Sequence, residues 1–155
     1  MLEALKRALD DCRAKYRRSD LPDLRLSGLY SLFPDEVQTA DAGHRWNDKW
    51  PHSEEAGVYF IFGGSGRLLY VGKASMNHCI GGRLSNYFGT DKATNRCRVE
   101  HEWCERPMYV ATAAVPQGMK FEAPALEEYL IATLNPCDNV RGVNQRARAL
   151  DSAEA

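Results

Sequence analysis

The side chains in this sequence best suited to chemistry at a phosphate are Tyr59, Tyr70, Lys73, Arg83, Tyr87 and Glu127. Arginine and lysine can pair with non-bridging phosphate oxygens through charge-assisted hydrogen bonds. A carboxylate can hold Mg²⁺ or Mn²⁺, which acts as Lewis acid and template. One protein carboxylate, completed by waters and substrate oxygens, is an ordinary Mg²⁺ site. A phenol can serve as a base only if its pKa falls from ~10, which near neutral pH requires help of about 3–4 kcal/mol. Cations such as Lys73 and Arg83 act in that direction by favouring the phenolate.

These residues need elements to bring them together. Gly57-Val58-Tyr59-Phe60-Ile61-Phe62 and Arg67-Leu68-Leu69-Tyr70-Val71-Gly72-Lys73 flank the turn-forming Gly63-Gly64-Ser65-Gly66. That pattern predicts a β-hairpin. With Phe62 and Arg67 as the flanking pair, Tyr59 stands opposite Tyr70 on one face. Val58, Phe60, Leu69 and Val71 then take the other. Gly72 is expected to let the backbone leave the strand tightly. A helix should follow, with Ile80, Leu84 and Phe88 as its apolar stripe and Arg83 and Tyr87 together on another face. Residues 108–115, bordered by Pro107 and Pro116, read as a third strand.

A second helix is expected over residues 124–134, with Pro124 in its first turn. Leu126, Leu130, Ile131 and Leu134 form its apolar face, and Glu127 lies within that face while Glu128 points away. Burying an unpaired carboxylate is costly, so Glu127 reads as a metal ligand. A glutamate at the rim of the stripe is the plainer alternative.

Gly57-Val58-Tyr59 and Tyr70-Val71-Gly72 resemble the two halves of the motif that names the GIY-YIG nuclease family. Lys73, Arg83-Leu84, Tyr87-Phe88, Glu127, Asn135-Pro136 and Asn139 continue the resemblance, which covers roughly residues 55–140. It implies a small α/β (α+β) domain with a three-stranded, mainly antiparallel sheet flanked by helices. It implies a metal-dependent endonuclease, a hydrolase of phosphodiester bonds, acting on DNA and using Mg²⁺ or Mn²⁺. Within it Tyr59 is the base, Tyr70 positions the phosphate or water, Arg83 clamps the phosphate and Glu127 holds the metal. Lys73, Tyr87 and Asn139 would contact substrate or order the groups that do. RNA as substrate, a non-cleaving nucleic-acid binder and a protein-interaction module of the same fold stay open.

The rest of the chain sets bounds. Its 155 residues suit one domain, and a net charge of −1 argues against a protein that blankets phosphates with cations. A nuclease needs only a local basic groove, and Lys73, Arg83, Arg96 and Arg98 could supply one, with Arg141, Arg146 and Arg148 beyond. Residues 1–18 read as an amphipathic helix through Leu2, Leu5, Leu9, Cys12 and Tyr16, packed on the domain or offered to a partner. Residues 23–56 look irregular, with Trp46 and Trp50 as anchors or nucleic-acid contacts. Residues 89–106 suggest a short helix or loop, and residues 141–155 a polar tail. Five cysteines, no signal-peptide core and no membrane-length apolar run imply free thiols and a cytoplasmic setting. Cys97, His101 and Cys104 lack standard zinc spacing.

Overall fold

The computed structural model describes residues 1–36 and 43–139. The tail from residue 140, with Arg141, Arg146 and Arg148, lies outside them. The hairpin forms where its apolar, β-branched and aromatic content requires: β4 (Gly57–Gly63) and β5 (Leu68–Ala74) pair antiparallel. The apolar segment between the two prolines becomes β8 (Pro107–Ala114) and pairs antiparallel with the other side of β4. β4 is thus the central strand, and all seven of its residues are buried.

The sheet is larger than the three strands expected. Three two-residue strands come from the segment that looked irregular: β1 (Arg25–Leu26), β2 (Tyr30–Ser31) and β3 (His44–Arg45). β1 and β2 pair with successive stretches of β8, and β3 runs parallel to β2, giving six strands. Two residues cannot show a period-2 alternation, so these strands carry no pattern in the sequence.

Each face of the sheet has its own apolar layer. On one, α1 (Leu2–Tyr16) and α3 (Glu122–Leu134) pack on Val58, Phe60, Phe62, Val71 and Ala111. Leu5, Leu9 and Cys12 of the α1 stripe are buried there, while Tyr16 at its end is 71% exposed. Arg17 clamps Glu122 with two hydrogen bonds of 3.1 Å, and Tyr129 donates one of 2.6 Å to Asp11. The other face carries Tyr59, Ile61, Leu69, Ile80, Leu84 and Phe88. Trp46 and Trp50 pack against this layer, Trp50 against Tyr30 and Phe88, which makes them anchors of the segment that bears them.

The structure corrects several local expectations. The helix after the hairpin, α2 (Ile80–Leu84), stops short of Phe88, which opens a strand. Phe88 still reaches the same apolar layer as Ile80 and Leu84, so the stripe marked burial and not helix length. β6 (Phe88–Thr90) and β7 (Cys97–Val99) form a separate hairpin where a helix or loop was expected. Cys104 and Cys137 form a disulfide, which overturns the expectation that all five cysteines are free; Cys12, Cys79 and Cys97 are free thiols. Among the described residues, no helix is long and apolar enough to cross a membrane.

Disulfide mapping of the native protein should find one intramolecular bridge, Cys104–Cys137. The bridge spans a sequence separation of 33, and a closed loop of that order stabilises by about 3–4 kcal/mol. Cys104→Ser with Cys137→Ser should lower the denaturant midpoint accordingly under non-reducing conditions and change nothing under reduction. An unchanged midpoint in both conditions would show that the bridge does not form.

Candidate active site

The site is built around β5, the outer strand of the sheet. The register places Tyr59 opposite Gly72 and Tyr70 opposite Ile61, two residues away from the direct Tyr59–Tyr70 pairing expected. Two causes add. Gly63 and Arg67 close the hairpin, with Gly63 N–H donating to Arg67 C=O at 3.0 Å, so the turn is one residue tighter than supposed. The register then shifts by one more at Phe62/Ile61, where Leu69 bulges. A slip of two preserves faces, so the tyrosines still share one, with ring centroids 6.2 Å apart. The bulge also carries Leu69 into the Tyr59 layer, away from Val58, Phe60 and Val71.

Gly72 lies within β5, not at its exit. A Cβ at this position would collide with the Cζ and hydroxyl oxygen of Tyr59, so the missing side chain makes room for the phenol. Tyr59 is 0% exposed, whereas Tyr70 and Tyr87 are half-buried. The Tyr87 hydroxyl stands between the other two, 3.4 Å from each. Arg83 comes up from α2 beside all three phenols. Burial acts to lower its pKa, but Tyr59, Tyr87 and Tyr70 outweigh this and hold the guanidinium more firmly protonated. Its Nε is buried without a partner among the described residues.

The second half of the site lies around the strand edge. Lys73 is opposite Val58, so it leaves β5 on the α3 face. Its ammonium donates a 3.0 Å hydrogen bond to Oε2 of Glu127, whose side chain is only 15% exposed. Glu127 does lie in the packed face of α3, then, and its charge is paired. It is near enough to Tyr70 to contribute to that phenol's raised pKa, after burial and Tyr87. Tyr70 and Lys73 therefore project to opposite faces of one edge strand, and the two groups of residues meet around it.

Asn139 was expected to contact substrate or to order the groups that do, and it takes the ordering role. Its amide accepts Val71 N–H on Oδ1 and donates from Nδ2 to Val71 C=O, both at 2.9 Å, and the residue is buried. Asp138 N–H adds a bond to Leu69 C=O at 2.8 Å. These residues orient the strand that bears Tyr70 and Lys73.

Two residues at the site carry no motif. Trp103 packs edge-on to Tyr70 and Tyr87, with centroids 6.1 and 5.7 Å away, and His101 lies 5.9 Å from Tyr87. Both sit in a charged stretch whose sequence gives no periodicity. The only signal was a lone tryptophan among polar residues. The disulfide to Cys137 holds this loop beside the segment that bears Asn139.

The donor set bears on the expected metal. Among the described residues, the one close group of three potential ligands is Cys104, Cys137 and Asp138, and its two sulfurs are bonded to each other. Glu127 stands apart as a single carboxylate. That suits a hard cation that keeps waters and takes substrate oxygens, and does not suit an all-protein cage.

The phenols are less acidic than a base requires. Burial, then Tyr87, pushes the Tyr59 pKa well above the ordinary phenol value, and Arg83 opposes this only in part. Tyr70 shifts upward for the same leading reasons. A raised folded-state pKa contributes stability that is complete below the unfolded phenol value of ~10 and is lost as pH rises through the folded value. The protein should therefore lose stability above about pH 10, and Tyr59→Phe should flatten that loss. An unchanged alkaline profile in Tyr59→Phe would contradict the burial argument. Gly72→Ala should displace the Tyr59 ring and destabilise by about 1–3 kcal/mol, as overpacking does. Thermal unfolding with tyrosine ring NMR checks both effects; a wild-type melting temperature would show that the ring can shift without strain.

Comparison of the chain with protein-family models, curated proteins and solved structures finds no match.

Proposed function

We propose that this chain is a metal-dependent endonuclease that hydrolyses phosphodiester bonds, with DNA as its substrate and Mg²⁺ or Mn²⁺ as its cofactor. The observation that carries this reading is the placement of Arg83 among three phenols, with the Lys73–Glu127 pair around the same strand edge. A guanidinium among hydroxyls, with no carboxylate of the described residues bonded to it, is suited to a phosphate oxygen. A packed protein core has no evident use for this combination.

In this reading Arg83 holds a non-bridging oxygen and Tyr70 and Tyr87 present hydroxyls to the phosphate and the attacking water. Tyr59 is fully buried, so it exchanges a proton through Tyr87 and not directly with solvent. The base is then one phenolate shared across the three hydroxyls, with Arg83 as its counter-charge. Lys73 keeps the Glu127 carboxylate in place and offers an ammonium to the phosphate backbone. A divalent cation held by Glu127 would supply Lewis acidity at the phosphate and positive charge that favours the phenolate. Asn139 acts through Val71 by fixing β5.

The neutral, buried state of Tyr59 favours one alternative, a nucleic-acid binder that does not cleave. The disulfide also bears on location: it favours an oxidising or redox-responsive setting over the reducing cytoplasm expected from the sequence.

The deciding experiment incubates supercoiled plasmid with wild type, Glu127→Gln and Tyr59→Phe, in Mg²⁺, Mn²⁺ or EDTA. Nicked or linear product should appear only with metal. Glu127→Gln should be inactive, and Tyr59→Phe should lose about 10²–10⁴-fold in rate, the usual contribution of a positioned acid or base. Tyr59→Phe should retain DNA binding. Binding without any cleavage by wild type would select the binder, and equal cleavage by wild type and Glu127→Gln would reject the metal assignment.

A further inference from the structure

We propose that residues 100–104 form a nucleobase-binding wall, and that the site takes a nucleotide whose base is unpaired. The base would stack on His101 and Trp103 while its phosphate turns toward Arg83. The phosphate end of this proposal rests on the nuclease reading; the wall itself does not.

The aromatic surface does not stop at the three tyrosines. Trp103 meets Tyr70 at 87° and Tyr87 at 60°, and His101 meets Tyr87 at 70°. His101 is exposed and Trp103 half-buried, so the tyrosine cluster is extended toward solvent by two rings. The indole N–H is already committed to Glu100 C=O at 2.9 Å. What Trp103 has left to offer is its π surface and not a donor, which suits stacking and tolerates any base.

The wall is held before any ligand arrives. Glu100 N–H donates to Tyr87 C=O at 2.8 Å. Cys104 N–H donates to the Asp138 carboxylate at 3.1 Å, beside the Cys104–Cys137 bond. Asp138 in turn is fixed to β5 through Leu69. A surface already ordered loses less entropy when it binds.

Charge orients the ligand. Glu100 is paired with Arg98 at 2.6 Å, while Glu102 is exposed on the wall. A carboxylate there repels phosphate, while Arg83 beside the three phenols attracts it, with Lys73 around the edge of β5. The backbone of a bound strand therefore runs on the cationic side, and its base lies toward the wall. Within a duplex both faces of a base are covered by its neighbours. Only a single-stranded, bulged or extruded base can present a face to this wall.

The test uses Glu127→Gln protein, so that binding is read without cleavage. Its ligands are DNA oligonucleotides carrying 2-aminopurine in a single strand, opposite a bulge, or in a matched duplex. The single strand and the bulge should bind more tightly than the duplex and quench the probe. Trp103→Ala and His101→Asn should together weaken single-strand binding about 10- to 100-fold, the effect of losing base stacking. Trp103→Phe should recover most of it. Asparagine tolerates the left-handed backbone of His101, φ 65°, so His101→Asn alone keeps the test valid should Trp103→Ala fail to fold. Equal affinity for matched duplex and unpaired DNA, unchanged affinity in the variants, or no binding to any oligonucleotide would overturn the wall. Tight, wall-dependent binding by a wild-type protein that never cleaves would keep the wall and reject the nuclease.

Discussion

The Asn139 amide and the Asp138 N–H occupy the outer edge of β5, where another strand would otherwise have to pair. An unpaired edge leaves backbone groups unsatisfied and invites association with another chain. Here one side chain satisfies both the N–H and the C=O of Val71, the residue next to Tyr70. The edge is closed without being covered. That is the condition for a site that uses both faces of one strand, since a neighbouring strand would separate Tyr70 from Lys73 and Glu127. The rest of the arrangement follows: α3 supplies the carboxylate on one face, α2 and the turn between it and β6 supply Arg83 and Tyr87 on the other, and Gly72 leaves room for Tyr59.

The electrostatics of the two faces differ. On the α3 face a partly exposed lysine and a mostly buried glutamate satisfy one another. On the other face a cation sits among phenols, and no carboxylate of the described residues is bonded to it. Among the described residues no anion touches this charge, which is a standing preference for an anionic ligand. Phenols are well suited to line such a place. They accept and donate, and burial favours their neutral form until a bound cation favours the phenolate, so in the resting site they do not cancel the guanidinium's field.

Much of this could be read in the sequence because it depends on period-2 and period-3.6 patterns in long elements. The β4–β5 hairpin, β8, α1 and α3 all have them, and the inward position of Glu127 followed from spacing alone. The shared face of Tyr59 and Tyr70 was legible for a more accidental reason: two single-residue offsets, one in the turn and one in the bulge, sum to an even slip. One offset without the other would have put the phenols on opposite faces. Leu69, which sits at the bulge, was misplaced for that reason. Strands of two or three residues, such as β1, β2, β3, β6 and β7, have no readable period. Trp103 and His101 reach the site through tertiary packing, and the Cys104–Cys137 pair through a separation that no local rule connects.

That pair of cysteines has a topological consequence. Their bond closes a covalent ring, and within the ring lie β8, which pairs with β4, β1 and β2, and α3, which bears Glu127. The exposed turn around Gln117 and Gly118 is the link between these two elements. Opening the backbone at that turn would not release a fragment, because the ring would become two arms joined through sulfur. The connection between the middle of the sheet and the carboxylate helix is therefore duplicated, once through peptide bonds and once through the bridge. The order of the chain between β8 and α3 is thus less constrained than the order elsewhere: new chain ends, or an inserted domain, could be placed at this turn while the helix keeps its covalent attachment beside Trp103.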